Sequence, residues 1–536
     1  MNELPVDLLH WLIALAPIVL LLVLLTALGW KAPQAGPVGL LLGGLTAVLV
    51  FRTPLETLAA AVGTGVWDAV FILFVVWPAL LLYRASDAAG AFVALRRGIQ
   101  RFSRNELFLV LAFGWVFASF LQGIAGFGTP IAVVAPLLVA LGVRPVLAVV
   151  IPLIGHAWAN MFGTLAVGWL ATLQVVDLED QLQTAWQSAV LLWIPNLTAG
   201  LTIAWLFGRW RAVRHAVPFV LIISVIHGGG QLGIMFLSPI LSTFLAATAG
   251  LVALYPLSRW SRYSERAEQI EDRPAMAEGR EDEDEGPEPV MSFGWSLVPY
   301  AALTVSAVAV LAIPAVESAL ESVSVGFSFG ETETGYGVVN EPEAPYSPIT
   351  PLTHPGFFLL VATAVAWIAY RAKGFYGAWQ ERAGEQRIWG STANDAIPSS
   401  IAIVSFLVLA KVLDYSGQVE VLALGIAAVA PAVVYAFLAN FVGVLGAFMT
   451  SSNTASNVLF SQLQQTVAAE EGLAESGIIA AQSTGGAVGN AIAPANVVLG
   501  TTTAGIVGQE GAVLRRTLPW AAAASVLVGL ATLLFV

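Results

Sequence analysis

FLQGIAGFGTPIAVVAPLL, residues Phe120–Leu138, and FVGVLGAFMTSSNTASNVLF, residues Phe441–Phe460, each interrupt a membrane-length apolar run with glycine, proline, hydroxyl or amide residues. The first is followed by a helix carrying His156, Trp158 and Asn160, the second by TGGAVGNAIAPANVVLG, Thr484–Gly500. Inside a bilayer an unpaired backbone amide costs several kcal/mol, so a broken helix survives only where it lines a protein-enclosed cavity. Matched breaks in two halves of a chain point to the substrate site of a secondary transporter.

The rest of the chain agrees with a membrane setting. It is 57% hydrophobic and 11% charged. A crossing needs about 20 apolar residues. Such runs lie near 8–28, 36–51, 66–83, 107–121, 146–170, 187–207, 217–236, 239–257, 294–314, 356–371, 395–413, 419–442, 477–507 and 517–535. The broken segments at 122–143 and 443–463 read either as extra crossings or as paired half-helices. The expected fold is an all-α polytopic membrane protein with roughly 12–16 membrane segments. The first run has no basic leader and no small-residue cleavage site, and it reads as a span.

Charge orients the spans. Basic residues favour cytoplasmic loops, and they cluster at Arg96, Arg97, Arg101 and Arg104, at Arg209–Arg214, at Arg259 and Arg262, at Arg371–Arg387, and at Arg515–Arg516. Net charge is −12, with acid gathered in Glu265–Glu288, which includes EDEDE at 281–285, and in Glu317–Glu343. Both acidic runs read as solvated, flexible loops. With the basic clusters inside, the helix before the first break runs outward and the helix before the second runs inward. That is an inverted-topology repeat, the arrangement of alternating access. The expected segments are scaffold helices at 1–105, a first transport repeat at 106–172, scaffold at 173–257, and an acidic cytoplasmic loop at 258–292. Scaffold at 293–394 follows, with an external acidic loop at 317–354. A second transport repeat at 395–516 and a last helix at 517–536 complete the chain. Asp68 and Lys411 fall near span ends, where snorkelling explains them.

The breaks carry the candidate binding residues. Gly123, Gly126 and Gly128 permit close backbone approach, and Pro130 cannot join a helix ladder. Amides freed near Gly128 and Thr129 at a helix N-terminus suit an anion, and Gln122 offers a donor and an acceptor. His156 and Asn160 stand i, i+4 on one face, and an intramembrane ionisable group is a functional candidate by default. In the second unit Thr450, Ser451, Ser452, Asn453, Thr454, Ser456 and Asn457 crowd seven hydroxyl or amide side chains into eight positions. Such oxygens suit Na⁺ near Ser452, Asn453 and Thr454, while amides suit a carboxylate. Thr484, Gly485, Gly486, Asn490, Pro494 and Asn496 repeat the theme, with Gln482 as accessory. Neither broken unit contains Lys or Arg, so an anion's charge must be met by helix ends, each worth roughly half an elementary charge, and by a bound cation.

FLQGIAGFGTPIAVVAPLLVALGVRP (120–145), FMTSSNTASNVLFSQLQ (448–464), STGGAVGNAIAPANVVLG (483–500) and GIVGQEG (505–511) resemble the lactate permease family, the LctP-type carriers of L-lactate, D-lactate and glycolate. The resemblance covers both units. It implies import of 2-hydroxymonocarboxylates with protons, a fold with paired hairpins, elevator-like motion and a place in the cell membrane. The chain departs from the family pattern at Gln122 (Glu in familiar members), Asn453 (Asp) and Asn490 (Lys). All three changes neutralise a charge. A proton-coupled carrier needs a titrating group, so sodium coupling gains weight, with Ser452-Asn453-Thr454 similar to the SNT signature of sodium-coupled dicarboxylate carriers. His156 is the alternative proton carrier.

The expected function is therefore a symporter for lactate or a related small 2-hydroxymonocarboxylate, coupled to Na⁺ or H⁺. An antiporter, or a carrier for another organic anion, is the nearest alternative. An intramembrane enzyme is disfavoured by the absence of HExxH, GxSxG, Walker A and cysteine. A membrane sensor using the acidic loop is disfavoured because that loop lacks a folded-module pattern. No cofactor beyond the coupling ion and no nucleic-acid partner is expected. The expected partners are the carboxylate and the bilayer, with a homo-oligomer left open.

Overall fold

The computed structural model describes residues 4–536 apart from 25–27, 29, 101–102, 125, 127, 266–269, 271, 278–287, 312–313, 385 and 507–508. Arg101, most of the acidic run including EDEDE 281–285, and part of GIVGQEG lie outside the described residues. Nine helices among the described residues are long and apolar enough to cross a membrane, or ten if one bent pair counts as a broken span.

The helices that position the site are α1 (Leu8–Leu22), α2 (Ala32–Leu49), α3 (Leu55–Asp87), α4 (Glu106–Ile124), α5 (Thr129–Ala140), α6 (Pro145–Gly155) and α7 (Gly163–Leu173). After them come α8 (Gln181–Met235), α9 (Pro239–Arg259), α10 (Val298–Leu311), α11 (Pro355–Ala372), α12 (Ile388–Tyr415) and α13 (Gln418–Ala427). The last five are α14 (Ala432–Thr450), α15 (Asn453–Glu470), α16 (Glu475–Asn490), α17 (Pro494–Thr503) and α18 (Glu510–Thr532).

Five apolar runs divide differently from their hydropathy. Run 146–170 breaks between α6 and α7, whose axes bend by 56°. Runs 187–207 and 217–236 meet at a kink at Gly208–Arg209, inside α8, with Arg209 at φ 51. Run 419–442 splits into α13 and α14 because Pro431 caps the second helix with extended backbone. Run 477–507 splits where Pro494 opens α17. Proline suits the first helical turn because the amide it lacks has no intrahelical partner there.

Two units now share one element order: a long helix, a break, a helical hairpin, a second break and a short helix. They are α4–α7 and α14–α17. In each, the long helix touches the returning hairpin arm through glycine. A Cβ on Gly155 of α6 would stand 2.0 Å from the Gly114 carbonyl oxygen of α4. On α16, a Cβ at Gly485 would stand 1.8 Å from the Asn440 oxygen, and one at Gly489 2.4 Å from the Val444 oxygen. On α14, a Cβ at Gly443 would stand 2.1 Å from the Gln482 oxygen. Small residues that let backbones meet are how membrane helices gain packing without a hydrophobic drive.

Outside these units α12 lies between α2 and α3. A Cβ on Gly65 would come within 2.6 Å of Val408 Cα, and one on Gly36 within 2.9 Å of Ser405 Cβ. Here the snorkelling reading fails. Asp68 is fully buried, its carboxylate accepts from the Tyr346 hydroxyl at 2.8 Å, and Lys411 Nζ lies 3.6 Å away. The two residues face each other across α3 and α12 instead of reaching to either end.

The acidic run 317–343 is likewise more ordered than a flexible loop. It carries part of two antiparallel pairs, β1 (Val325–Phe329) with β4 (Glu343–Ile349) and β2 (Thr332–Glu333) with β3 (Val339–Asn340). Tyr346 on β4 fastens this cap to α3. The other acidic stretch is also tied down where it is described. The Ala275 carbonyl accepts from Arg144 N at 2.8 Å, Ala277 N donates to Gly142 O at 2.8 Å, and Arg273 pairs with Glu106 at 2.5 Å.

Candidate functional site

The breaks of both units open onto one cavity of about 230 Å³, closed on the far side by α12 and the start of α2. That is smaller than the roughly 300–1,000 Å³ of drug-sized pockets. Three helix N-termini reach it, through Gly128 before α5, Ser452 before α15 and Ala495 in the first turn of α17. Three C-terminal ends reach it as well, through Thr450 of α14, His156 after α6 and Asn490 of α16. N-termini present unpaired amides and about half a positive charge, C-termini unpaired carbonyls and the opposite. One small space therefore offers both an anion field and a cation field.

Local sequence explains the turns. Gly128 stands at φ 86 and Ser451 at φ 58, so in each unit a left-handed residue reverses the chain before the next helix. Ser452 then caps α15, its Oγ accepting from Ala455 N at 3.2 Å. Ser451 Oγ accepts from Ala495 N at 3.2 Å, tying the two breaks of the second unit together.

Most of the residues expected from sequence meet at this cavity. Gln122, Gly126, Gly128, His156 and Asn160 line it from the first unit. Ser451, Ser452, Asn453, Thr454, Asn490 and Asn496 line it from the second. The His156 Nδ1–H donates to the Pro152 carbonyl at 2.5 Å, which leaves Nε2 as an acceptor. An amide chain crosses between the units: Asn490 Nδ2 donates to Asn160 Oδ1 at 2.8 Å, and Asn496 Nδ2 donates to the Asn490 backbone oxygen at 3.0 Å. Asn453 is 3% exposed, and neither its Nδ2 nor its Oδ1 has a protein partner. Both atoms are turned into the packing: a Cβ on Gly486 of α16 would stand 2.1 Å from Oδ1, and one on Gly168 of α7 would stand 3.3 Å from Nδ2. Among the described residues no Arg, Lys, Asp or Glu lines the cavity, and His156 is the one titratable residue that does.

Six of the expected residues point elsewhere. Thr129 borders a separate gap beside Leu82 and Tyr300, and Pro130 is buried in the first turn of α5. Ser456 donates to the Gly443 carbonyl at 2.9 Å, bracing the two arms of the break. Asn457 Nδ2 faces Met161 Sδ at 3.4 Å. Thr484 donates back to Ala480 O at 2.8 Å, and Gly485 is the helix contact described above. Ser456, Thr484 and Gly485 serve their elements' packing, which polarity alone could not distinguish from a wall position, while the buried Asn457 Oδ1 has no protein partner.

Thr164 is the chief residue that the sequence reading passes over. Thr164, Leu165 and Ala166 form a left-handed turn at φ 50, 51 and 63. Each such non-glycine residue costs on the order of 1–3 kcal/mol and persists where its surroundings fix it. Thr164 Oγ1 accepts from Gly126 N at 2.8 Å and lines the cavity, latching the first break of its unit to the second. Its only sequence signal is a hydroxyl four positions after Asn160, which a continuous helix would hide.

Residues 10–536 match the family model for L-lactate permease. The chain belongs to the L-lactate permease family. It is 28% identical to an L-lactate permease of Halalkalibacterium halodurans over 95% of this chain and 93% of that one. It is 27% identical to the glycolate permease GlcA of Escherichia coli, over 98% and 95% of the two chains. Among solved structures, the YdaH transporter of Alcanivorax borkumensis aligns over 88% of this chain and 86% of that one, at 14% identity and TM-score 0.40. As a permease-family chain with at least nine apolar membrane-length helices among the described residues, it is an integral membrane transporter and not an enzyme.

Proposed function

We propose that this permease is a secondary symporter that brings lactate or a related small 2-hydroxymonocarboxylate across the plasma membrane with Na⁺. The observation that carries the reading is one cavity onto which three helix N-termini open and whose wall holds the amides of Gln122, Asn160 and Asn490. The carboxylate lies before the starts of α5 and α15, where helix dipoles supply the positive field that no side chain provides. The amides of Gln122, Asn160 and Asn490 in the cavity wall supply donors and acceptors for the adjacent hydroxyl. The cation takes oxygens of Ser452, Asn453 and Thr454 beside the C-terminal carbonyls of α14. Similarity to an L-lactate permease and a glycolate permease supports the substrate class.

Two units of one element order, with opposite orientation read from loop charge, are the machinery of alternating access in this proposal. Movement of both units against α2, α3 and α12 as an elevator would carry the cavity from one side to the other.

A second reading exchanges Na⁺ for H⁺, with His156 as proton carrier. The observation behind it is the free acceptor nitrogen of the one titratable lining residue. Uptake in proteoliposomes separates the two when Na⁺ and pH gradients are imposed one at a time over a panel of carboxylates. Sodium-driven lactate uptake supports the main reading. Full uptake on a pH gradient without Na⁺, lost in His156→Ala, moves coupling to the proton. Absence of labelled-carboxylate counterflow would refute carboxylate transport altogether.

A further inference from the structure

The cavity has two chemically different walls. The broken units contribute its amides, Gln122, Asn160, Asn453 and Asn490. Opposite them α12 contributes Ala402, Ile403 and Phe406 with Ser399 as its one polar side chain, and the start of α2 adds Ala32 and Pro33. A 2-hydroxymonocarboxylate is divided in the same way. Its carboxylate and hydroxyl share one end, and the substituent on C2 projects from the other. Turning the polar end toward α12 would take the carboxylate away from the helix N-termini and the amides and set it against Ala402, Ile403 and Phe406, which buried polar groups do not tolerate. The polar end therefore faces the units, and the C2 substituent faces α12.

That wall is also unyielding. Phe406 follows Ser405, which is held against Gly36 of α2, and precedes Val408, whose backbone lies against Gly65 of α3. Close-packed backbone on both flanks prevents α12 from retreating to admit a larger group. Phe406 is 1% exposed and Ile403 9%, so both side chains are already set in place.

We propose that Ile403 and Phe406 are specificity-determining residues that gauge the alkyl substituent on C2 of the transported hydroxy acid, with Ala402 leaving the gap that a methyl group fills. This inference rests on the carboxylate-carrier reading above. The gauge admits glycolate and lactate and rejects longer homologues. One methylene in an apolar pocket is discriminated by about 10- to 200-fold.

The test measures uptake of glycolate, lactate, 2-hydroxybutyrate and 2-hydroxyisovalerate by proteoliposomes, and reads only ratios of kcat/KM within each variant. Ile403→Ala and Phe406→Leu are expected to raise the ratio of 2-hydroxybutyrate to lactate by about tenfold. Ala402→Val is expected to move the other way, lowering lactate relative to glycolate by a similar factor. For a variant too slow to assay, the shift in Tm caused by each acid in detergent supplies the same ratios. Ratios that stay fixed in all three variants, with lactate still carried or bound, overturn the gauge and leave the carrier reading intact. An unaltered protein that carries no carboxylate at all overturns both.

Discussion

In the first unit the chain turns at Gly128, and its latch is a backbone amide, Gly126 N, held by Thr164. In the second unit the turn falls on Ser451, and its surroundings are side chains: Thr450, Ser452, Asn453 and Thr454 around the cavity, with Ser456 bracing the arms. Similar helix order thus delivers different chemistry. One unit brings bare backbone to the cavity, where a Cβ would intrude. The other brings hydroxyls and amides, where a Cβ is needed to carry them. A site assembled from the two can hold an anion against peptide groups and a cation against side-chain oxygens, although its wall contains no formal charge.

The sharpest way to break this contrast is Gly128→Leu. A Cβ there would stand 2.4 Å from Leu499 Cδ2 and sit at φ 86, a left-handed strain of about 1–2 kcal/mol. Transport should vanish while folded protein is still recovered from the membrane. Normal uptake would show that the glycines are only packing notches. Asn453→Ala tests the side-chain half. Loss of a charge-assisted hydrogen bond worth about 1.5–3 kcal/mol should raise the apparent KM for lactate by roughly 10- to 100-fold. Its companion Asn453→Asp should change which cation supports uptake, so ion dependence is the quantity to record.

A smaller effect is expected from Thr164→Val, which keeps the shape of the side chain and leaves the Gly126 amide without its acceptor. The cost of that orphaned donor is about 1–3 kcal/mol, expected as a lower Tm and slower uptake. The smallest belongs to Thr484→Val. Its hydroxyl is spent on Ala480 O inside α16, so uptake kinetics should stay within about twofold and stability should fall by about 0.5–1.5 kcal/mol. A large loss of uptake there would bring Thr484 back into the binding wall.

Those expectations also mark what the amino acids disclose on their own. Gly126, Gly128 and Ser451–Thr454 could be found because an interruption of an apolar run has one physical excuse, a lined cavity. Thr164 could not. A threonine in a helix ordinarily bonds back to its own turn, and nothing local announces that three non-glycine residues will adopt left-handed backbone. Ile403 and Phe406 were hidden for the opposite reason, since an apolar side chain in an apolar helix looks the same whether it faces lipid, core or ligand. Pro398 and Ser399, polar interruptions of that same run, were the available hint that α12 meets the cavity. The burial of Asp68 with Lys411 depends on α3 meeting α12, a pairing between distant segments that neither segment's composition reveals.

The glycine contacts between α14 and α16 have a mechanical consequence. With Gly443, Gly485 and Gly489 each leaving no room for even a methyl group, the two rods share one surface and cannot shear past each other. Ser451 at the end of one rod and Asn490 at the end of the other are therefore carried at a fixed separation. The second unit behaves as a stiff bracket whose jaws do not open. In the proposed elevator, exchange of cargo with either side then comes from the bracket sliding as a whole, and the wear surface of that bearing is α12.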